Sequence, residues 1–474
     1  QARIFLAGGA DVSIGGDQNL TLSAKTWVEY DGCLWTELKL VPRTPIAFDR
    51  IWLEIPYRSA EATHYSYWID KESGSNCDAL PAAGITATYR PYVWLGNPKR
   101  GLCWFNEECR EFFIPEPEQT PMTFLTPGQG ERQEVTNLRI MLAVAAGTLD
   151  QPLALEFGLM GTPVKPMPKN WRQWDFYCGW SKLKGQFSEW GTGYFIKEPD
   201  DPADFKQRLA DFAARSKYIL ATPNCGSYFF CETIFKDGRA FPDYWLWGPE
   251  YAPGDARTKP LAFHNVEPAT EKYRVGYTSV VPTREYTENF LFNYHQLMTD
   301  YPELRGIYMD TCIPTGYNPL AGIGYTDRYG KLRRSQCILG SRMFMKRLYT
   351  MFWQLRGDPD EKPWVLYTHC SNQICPPIHS FATSMLQGEG LSVGPRAFGD
   401  HPLQALSMDA MQVGFNGHAY GWIEQFLGLY TQNPETFSEL SALFLMHDHN
   451  VMGRGEMRTQ NRVAVTLEKL GAYA

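Results

Sequence analysis

RGIYMDTC, residues 305–312, runs through Gly306, Ile307, Tyr308 and Met309, which have the character of a buried strand, and then places a carboxylate, Asp310. MLQGEGL, residues 385–391, does the same with Glu389. An ionised group is costly in an apolar interior, so a carboxylate that follows such a run belongs where the strand leaves the core. In sheets built from alternating strands and helices, the carboxyl ends of the strands converge on one face, and functional side chains collect there. Reading these two stretches as strand ends therefore decides the fold class of the second half of the chain.

The neighbouring sequence has the same texture from about residue 170 onward. Short apolar runs at 174–180, 216–223, 274–281, 305–311, 363–371, 384–390, 411–418 and 442–446 read as strands. Between them lie patterns with the helical period: 202–216 (apolar at 205, 209, 212 and 213), 284–302, and 335–357, which ends on Gly357. Eight alternations in this span predict an α/β fold with a (β/α)8 TIM barrel over 170–474. A doubly wound sheet is the other arrangement, but the chain has no GxGxxG or P-loop.

Residues 1–165 read differently. TWVEYDGCLWTELKLV (26–41), DRIWLEIPY (49–57) and TATYRPYVWLG (86–96) alternate with period two and are broken by turn residues. This predicts an N-terminal antiparallel β-sandwich domain, closed by the Pro-rich stretch that ends LEFGLMGTPVKPMP (155–168).

The chain has 474 residues, and its net charge of −7 gives no basic footprint for nucleic acid. No run of about 20 apolar residues is present, so no membrane span is expected. The 11 cysteines include no CxxC, and the pairs Cys103/Cys109, Cys225/Cys231 and Cys370/Cys375 match no zinc pattern, so free buried thiols and no metal or other cofactor are expected. Aromatics make up 14% of the residues; flat rings with a polar handle suit the faces of sugars as well as a large core.

Reading the strand ends in turn gives a polar set: Trp180, Asn224, Asp310, His369, Asn372, Glu389, His418 and the cluster His447–Asp448–His449. Asp310 and Glu389 are the carboxylates that directly follow well-defined strands, and glycoside hydrolysis needs two carboxyl groups across the scissile bond. Trp180, Trp247 and Tyr251 are candidates for stacking on a sugar, and Tyr308, Asn318, His369, Asn372, Arg396 and His418 for polar contacts. The loop at 312–331, rich in Gly and Pro, is expected to fold over the substrate, with Tyr317, Asn318 and Tyr325 toward it. If Asp310 proves dispensable, Asp400, Glu424 and Asp448 are the next carboxylates to consider.

YVWLGNPKRGLCWFNEE (92–108), GIYMDTCIPTGYNPLAGIGYTDRYGK (306–331), SRMFMKRLY (341–349) and HSFATSMLQGEG (379–390) resemble bacterial glycoside hydrolase domain proteins of unknown specificity, distantly like glycoside hydrolase family 123. The resemblance implies a β-sandwich followed by a barrel. It departs from family 123 in one place: that family's substrate-assisted mechanism uses an adjacent Asp-Glu pair, and here Thr311 follows Asp310. An Asp after strand four and a Glu after strand six look more like the retaining α-glycosidase families 101 and 129, which implies Asp310 as nucleophile and Glu389 as acid/base.

The sequence thus points to an exo-acting, retaining glycoside hydrolase that releases a sugar, such as an N-acetylhexosamine, from a glycan. A substrate-assisted N-acetylhexosaminidase, a non-catalytic glycan-binding protein and a metal-dependent enzyme built on His447–His449 are the alternatives. A start on Gln1 rather than Met, together with the resemblance, suggests a periplasmic or secreted bacterial protein.

Overall fold

Period-two alternation becomes antiparallel sheet throughout the first part of the chain. The computed structural model describes residues 10–16, 19–67, 76–128, 134–169, 171, 176–178, 185–189, 203, 206, 207, 210, 216–221, 282–309, 322–333, 335–369, 374–388, 406–427, 442, 443, 446, 447 and 450–452. Its first strands are β1 (Ala10–Gly16), β2 (Leu20–Val28), β3 (Cys33–Pro42), β4 (Ile46–Phe48), β5 (Ile51–Arg58), β6 (His64–Tyr67) and β7 (Asn76–Ala79). They are followed by β8 (Ile85–Ala87), β9 (Tyr92–Asn97), β10 (Arg100–Phe105), β11 (Thr123–Thr126), β12 (Val135–Ala143), β13 (Gly147–Leu149) and β14 (Leu153–Thr162). One sheet has the order β1-β2-β3-β14-β10-β9-β6-β7, and a second has β5-β12-β11-β8. No helix precedes residue 163 among the described residues.

Alternation explains what each face of the larger sheet does. Val93 and Leu95 of β9, Trp104 of β10, and Leu155 and Phe157 of β14 pack with Leu125, Leu138 and Ile140 of the smaller sheet. The intervening residues Trp35, Tyr92, Trp94, Cys103, Phe105 and Met160 point the other way, into a core shared with the helices of the second half. A sheet covered on both faces needs apolar residues at every position, which is why YVWL (92–95) and LCWF (102–105) are continuous apolar runs. The described cysteines Cys33, Cys77, Cys103, Cys109, Cys337 and Cys375 are free thiols, as the sequence led us to expect.

The second half is an eight-stranded sheet in sequential order: β15 (Phe176–Cys178), β16 (Gly185–Glu189), β17 (Ser216–Ala221), β18 (Leu304–Met309), β21 (Val365–His369), β22 (Ser384–Gln387), β23 (Ile423–Leu427) and β24 (Asn450–Met452). Every neighbouring pair is parallel. The outermost strands, β15 and β24, approach each other. A two-stranded ribbon, β19 (Tyr325–Thr326) with β20 (Leu332–Arg333), follows β18.

Helix α1 (Arg284–Asp300) begins at Thr283, whose side chain accepts a hydrogen bond from the Tyr286 amide at 3.1 Å, a standard N-cap. Helix α2 (Ile338–Arg356) ends at Gly357, whose φ of +79° is open to glycine and whose N–H donates to the Trp353 carbonyl at 2.9 Å. Tyr294, Leu297 and Met298 of α1 and Met345, Leu348 and Phe352 of α2 supply the apolar layer over the sheet. Ala203, Lys206, Gln207 and Ala210 are helical and exposed, complementary to the apolar positions expected at 205, 209, 212 and 213.

Two strand assignments are corrected. Residues 411–418 were expected to be the seventh strand, but they fall in the short helices Met408–Gly414 and Gly417–Tyr420. Capping overrides the alternation of Met411, Val413 and Phe415: Ser407 Oγ accepts from the Ala410 amide at 2.9 Å, and Asn416 Oδ1 accepts from the His418 amide at 3.1 Å. The seventh strand is β23. The expected eighth strand at 442–446 is replaced by β24, since Ala442, Leu443 and Met446 are helical. β16 at 185–189 was not read as a strand, and the strand expected at 274–281 lies outside the described residues. These changes leave Met309 at the end of the fourth strand and Gln387 at the end of the sixth.

The Pro-rich junction is tied down. The Val164 amide donates to the Tyr420 carbonyl at 2.8 Å. The Lys165 ammonium donates to the Ser380 carbonyl at 2.5 Å and also to the Ala382 carbonyl. Lys165 as a residue is half-buried; its amine is the enclosed part, and burial pulls it down to about 7. Lys165→Met is expected to destabilise the protein by roughly 1–3 kcal/mol, because the two carbonyls lose their donor. It should also make the 163–168 segment more open to limited proteolysis than it is in the parent chain. Equal cleavage of both proteins would show that the lysine does not hold the junction.

Candidate functional site

Parallel register sorts the side chains of the second sheet by face. Ile307 pairs with Leu366 and Met309 with Thr368; Thr368 pairs with Met385, and Met385 with Glu424. Ile307, Met309, Leu366 and Met385 pack under α1 and α2, so this parity faces the helices. The opposite parity carries Val365, Tyr367 and His369 on β21, Ser384 and Leu386 on β22, and Ile423 and Gln425 on β23, all of them buried. This inner face becomes polar toward the strand ends. His369 pairs with Leu386, Leu386 with Gln425, and Gln425 with Asn450, a single row across four strands.

His369, expected at a strand end, is the last residue of β21 and is 4% exposed. Tyr308 lies in β18 in register with Tyr367. His418 was expected after the seventh strand and instead precedes it, in the turn 417–420, where its ring meets Trp171 edge-on with centroids 5.2 Å apart. It therefore belongs to the end of the sheet opposite the strand carboxyl ends. Asp310, Glu389, Trp180, Trp247, Tyr251, Asn318, Asn372 and Arg396 lie outside the described residues, although Asp310 immediately follows β18. The chain leaves β22 through Gly388 at φ +100°, a conformation that glycine adopts freely, one residue before Glu389.

Gln425 was missed by sequence reading. The signal was present in WIEQFL (422–427), where two adjacent polar residues interrupt an apolar run. Of that pair, Glu424 has the helix-facing parity of Met385 and accepts from the Trp422 indole N–H at 3.1 Å. Burial pushes its carboxyl well above the usual range, and the side chain has the parity that turns away from the face carrying His369 and Gln425.

The loop expected to fold over the substrate ends in a segment fixed to the first half of the chain. The Tyr325 hydroxyl, expected toward the sugar, accepts from the Cys109 amide at 3.1 Å, and Tyr325 is buried. Arg333, also buried, donates to Asp327 Oδ2 at 3.0 Å and to Glu118 Oε2 at 2.9 Å. Lys331 donates to Glu116 at 2.9 Å. The ribbon that follows the fourth strand is thus clamped onto residues 109–118.

Glu107 reaches from the same region to the start of α2. Cys337, at the N-cap, has φ +52° and makes no side-chain cap. Glu107 caps the helix in its place: Oε1 accepts from the Leu339 amide, and Oε2 accepts from Ser335 Oγ at 2.9 Å. Burial raises this carboxyl from 4.5 to about 7, against the pull of those hydrogen bonds. A carboxyl raised in this way stabilises most below its ordinary pKa, and the contribution is lost as pH rises through about 7. Glu107→Gln is therefore expected to remove a decline in stability between pH 4.5 and about 7. Melting curves across that range would check it; parallel curves for the two proteins would show that Glu107 does not titrate there.

No family model matches the chain, and no curated protein sequence matches it. Solved structures do. A GH31 family sulfoquinovosidase from E. rectale, in complex with an aza-sugar inhibitor, aligns with a TM-score of 0.48 at 10% identity, over 97% of this chain and 73% of its own. A xylosidase from Aspergillus niger aligns at 0.40 and 9% identity, over 94% and 68%. The α-N-acetylgalactosaminidase NagBb from Bifidobacterium bifidum, in complex with GalNAc, aligns at 0.34 and 10% identity, over 99% and 85%.

Proposed function

We propose that the protein is a retaining glycoside hydrolase, with Asp310 as nucleophile and Glu389 as general acid/base, carried by a (β/α)8 barrel over 170–474 that follows a β-sandwich domain over 1–165. The observation that carries this reading is topological. The second half is a sequentially ordered parallel sheet whose outermost strands approach each other, and in it Asp310 directly follows the fourth strand and Glu389 comes two residues after the sixth. Strand carboxyl ends are where such a fold collects its chemistry. Glu424, the other carboxylate on these strands that the sequence raised as a candidate, faces the helices and supports the choice by default.

In the first step an Asp310 oxygen attacks the anomeric carbon while the bond to the leaving oxygen breaks, and Glu389 gives that oxygen its proton. In the second step Glu389 takes a proton from water, whose oxygen displaces Asp310 and releases the sugar with its anomeric configuration retained. The absence of a second carboxylate beside Asp310 favours this route over substrate assistance. The substrate class is a glycan terminus, and a periplasmic or secreted bacterial setting would supply it. A panel of aryl glycosides tests the reading, with the anomer of the released sugar followed by NMR. Turnover with retention supports it. Inversion would keep the residues and change their roles, and sugar binding without turnover would replace the enzyme with a binding protein.

A further inference from the structure

We infer that the outer face of the smaller antiparallel sheet is a carbohydrate-binding surface, one that holds an uncharged glycan chain away from the barrel. The glycan class rests on the function proposed above. In the sheet β5-β12-β11-β8, the parity that carries Ile55, Leu138 and Leu125 in one row packs against the larger sheet. The larger sheet in turn stands between these strands and the helices of the second half. Register sets the opposite parity side by side, since directly opposed residues of antiparallel strands share a face. There Glu54 opposes Arg139, which opposes Phe124; two residues along, Asn137 opposes Thr126; and Trp52 lies two residues before Glu54 on β5.

Trp52 stands where period-two alternation calls for a polar residue, and it is 45% exposed. Its ring is held rather than loose. The Arg139 guanidinium lies 4.8 Å from the ring centroid, and Arg139 is itself fixed by two hydrogen bonds to Glu54 Oε2, at 2.6 Å from Nη2 and 3.1 Å from Nε. A ring ordered before the ligand arrives loses little freedom on binding. Phe124, partly buried, extends the apolar strip, and half-buried Asn137 and exposed Thr126 add donors and acceptors in the next row. Charge decides which ligand this suits. Arg139 and Glu54 neutralise each other, and the chain carries a net charge of −7, so the face offers a polyanion no excess positive charge. A locally neutral surface that sets a flat ring beside amide and hydroxyl groups matches a polymer with C–H faces and hydroxyls along its length. From β5 to β11 the patch spans about 10 Å, which suits a chain of sugars rather than one. Held there, the chain is kept at high local concentration beside the barrel.

The test reads binding by native affinity electrophoresis of the full chain, in gels that contain soluble starch, galactomannan or the charged polygalacturonate. The parent protein is expected to be retarded by at least one of the two uncharged polysaccharides. Trp52→Ala should weaken that retention about tenfold or more, the loss typical of an aromatic anchor. Arg139→Gln should weaken it less, and Trp52→Tyr, which keeps a ring, should retain most of it. Phe292→Ala removes a ring that is 73% exposed on α1 and should leave the retention unchanged. Urea unfolding identifies a variant that fails to fold; if Trp52→Ala does, Arg139→Gln, which alters only a partly exposed ion pair, decides. An unretarded parent, or one retarded by polygalacturonate alone, would overturn the inference. So would full retention of Trp52→Ala, which would place the binding in the cleft, or an equal loss in Phe292→Ala. Retention is read without turnover, so a retained parent that hydrolyses no aryl glycoside counts against the proposed enzyme and not against this surface.

Discussion

Asp310→Asn is expected to abolish glycoside hydrolysis, lowering kcat on the order of ten-thousand-fold while leaving the melting temperature close to that of the parent protein. The carboxamide has nearly the same shape and volume but cannot form or release a glycosyl ester, so both chemical steps lose their partner. Glu389→Gln makes a different pattern. It should slow substrates with poor leaving groups far more than activated aryl glycosides, since only the former need a proton on the departing oxygen. The two patterns together separate nucleophile from acid. Near-normal turnover by Asp310→Asn would remove the assignment, and Asp400 and Asp448 would become the carboxylates to examine.

The second large effect is on stability. The Arg342 side chain is 3% exposed and donates to Asp31 Oδ1 at 2.7 Å and to Glu29 Oε2 at 3.0 Å. Its other terminal nitrogen donates to the Pro377 carbonyl at 3.0 Å and to Ser380 Oγ at 3.2 Å. Burial raises the Asp31 carboxyl, but the hydrogen bond and charge of Arg342 outweigh it and hold the group below its ordinary range. A depressed carboxylate stabilises above its ordinary pKa, and the contribution disappears only as pH falls through the lower folded value. Arg342→Leu should therefore cost about 3–5 kcal/mol at neutral pH, because it leaves a sealed carboxylate without its counter-charge. Asp31→Asn combined with Arg342→Leu should recover part of that loss. Urea unfolding would measure both, and a cost below about 1 kcal/mol would mean the pair behaves as an exposed one.

Much of this architecture was legible in the sequence. Alternation gave the antiparallel sheets because each strand there has two different faces, and the helical period, with Gly357 as an end signal, gave α1 and α2 nearly to their ends. The misreading of 411–418 has a local cause: hydrogen-bonding side chains decided the outcome where hydrophobic pattern was ambiguous. Ser407 and Asn416 turn an alternating segment into two helical turns, which displaced His418 to the wrong end of the sheet and concealed Gln425. Contacts between the two halves were illegible for a different reason. Glu107, Asp31 and Lys165 each look like an ordinary surface charge, and nothing within a few residues of them reveals the helix end, guanidinium or carbonyls that they meet.

The larger antiparallel sheet has one consequence for how this protein could be divided. Trp35, Tyr92, Trp94 and Phe105 cover the helices of the second half as an inner wall covers its frame. A gene fragment beginning near residue 170 would encode helices stripped of that wall, and one ending there would encode a sheet with a broad aromatic face in water. Modular shuffling, in which front and back halves are exchanged between unrelated sequences, is therefore closed to this chain unless the aromatic seam travels with both pieces.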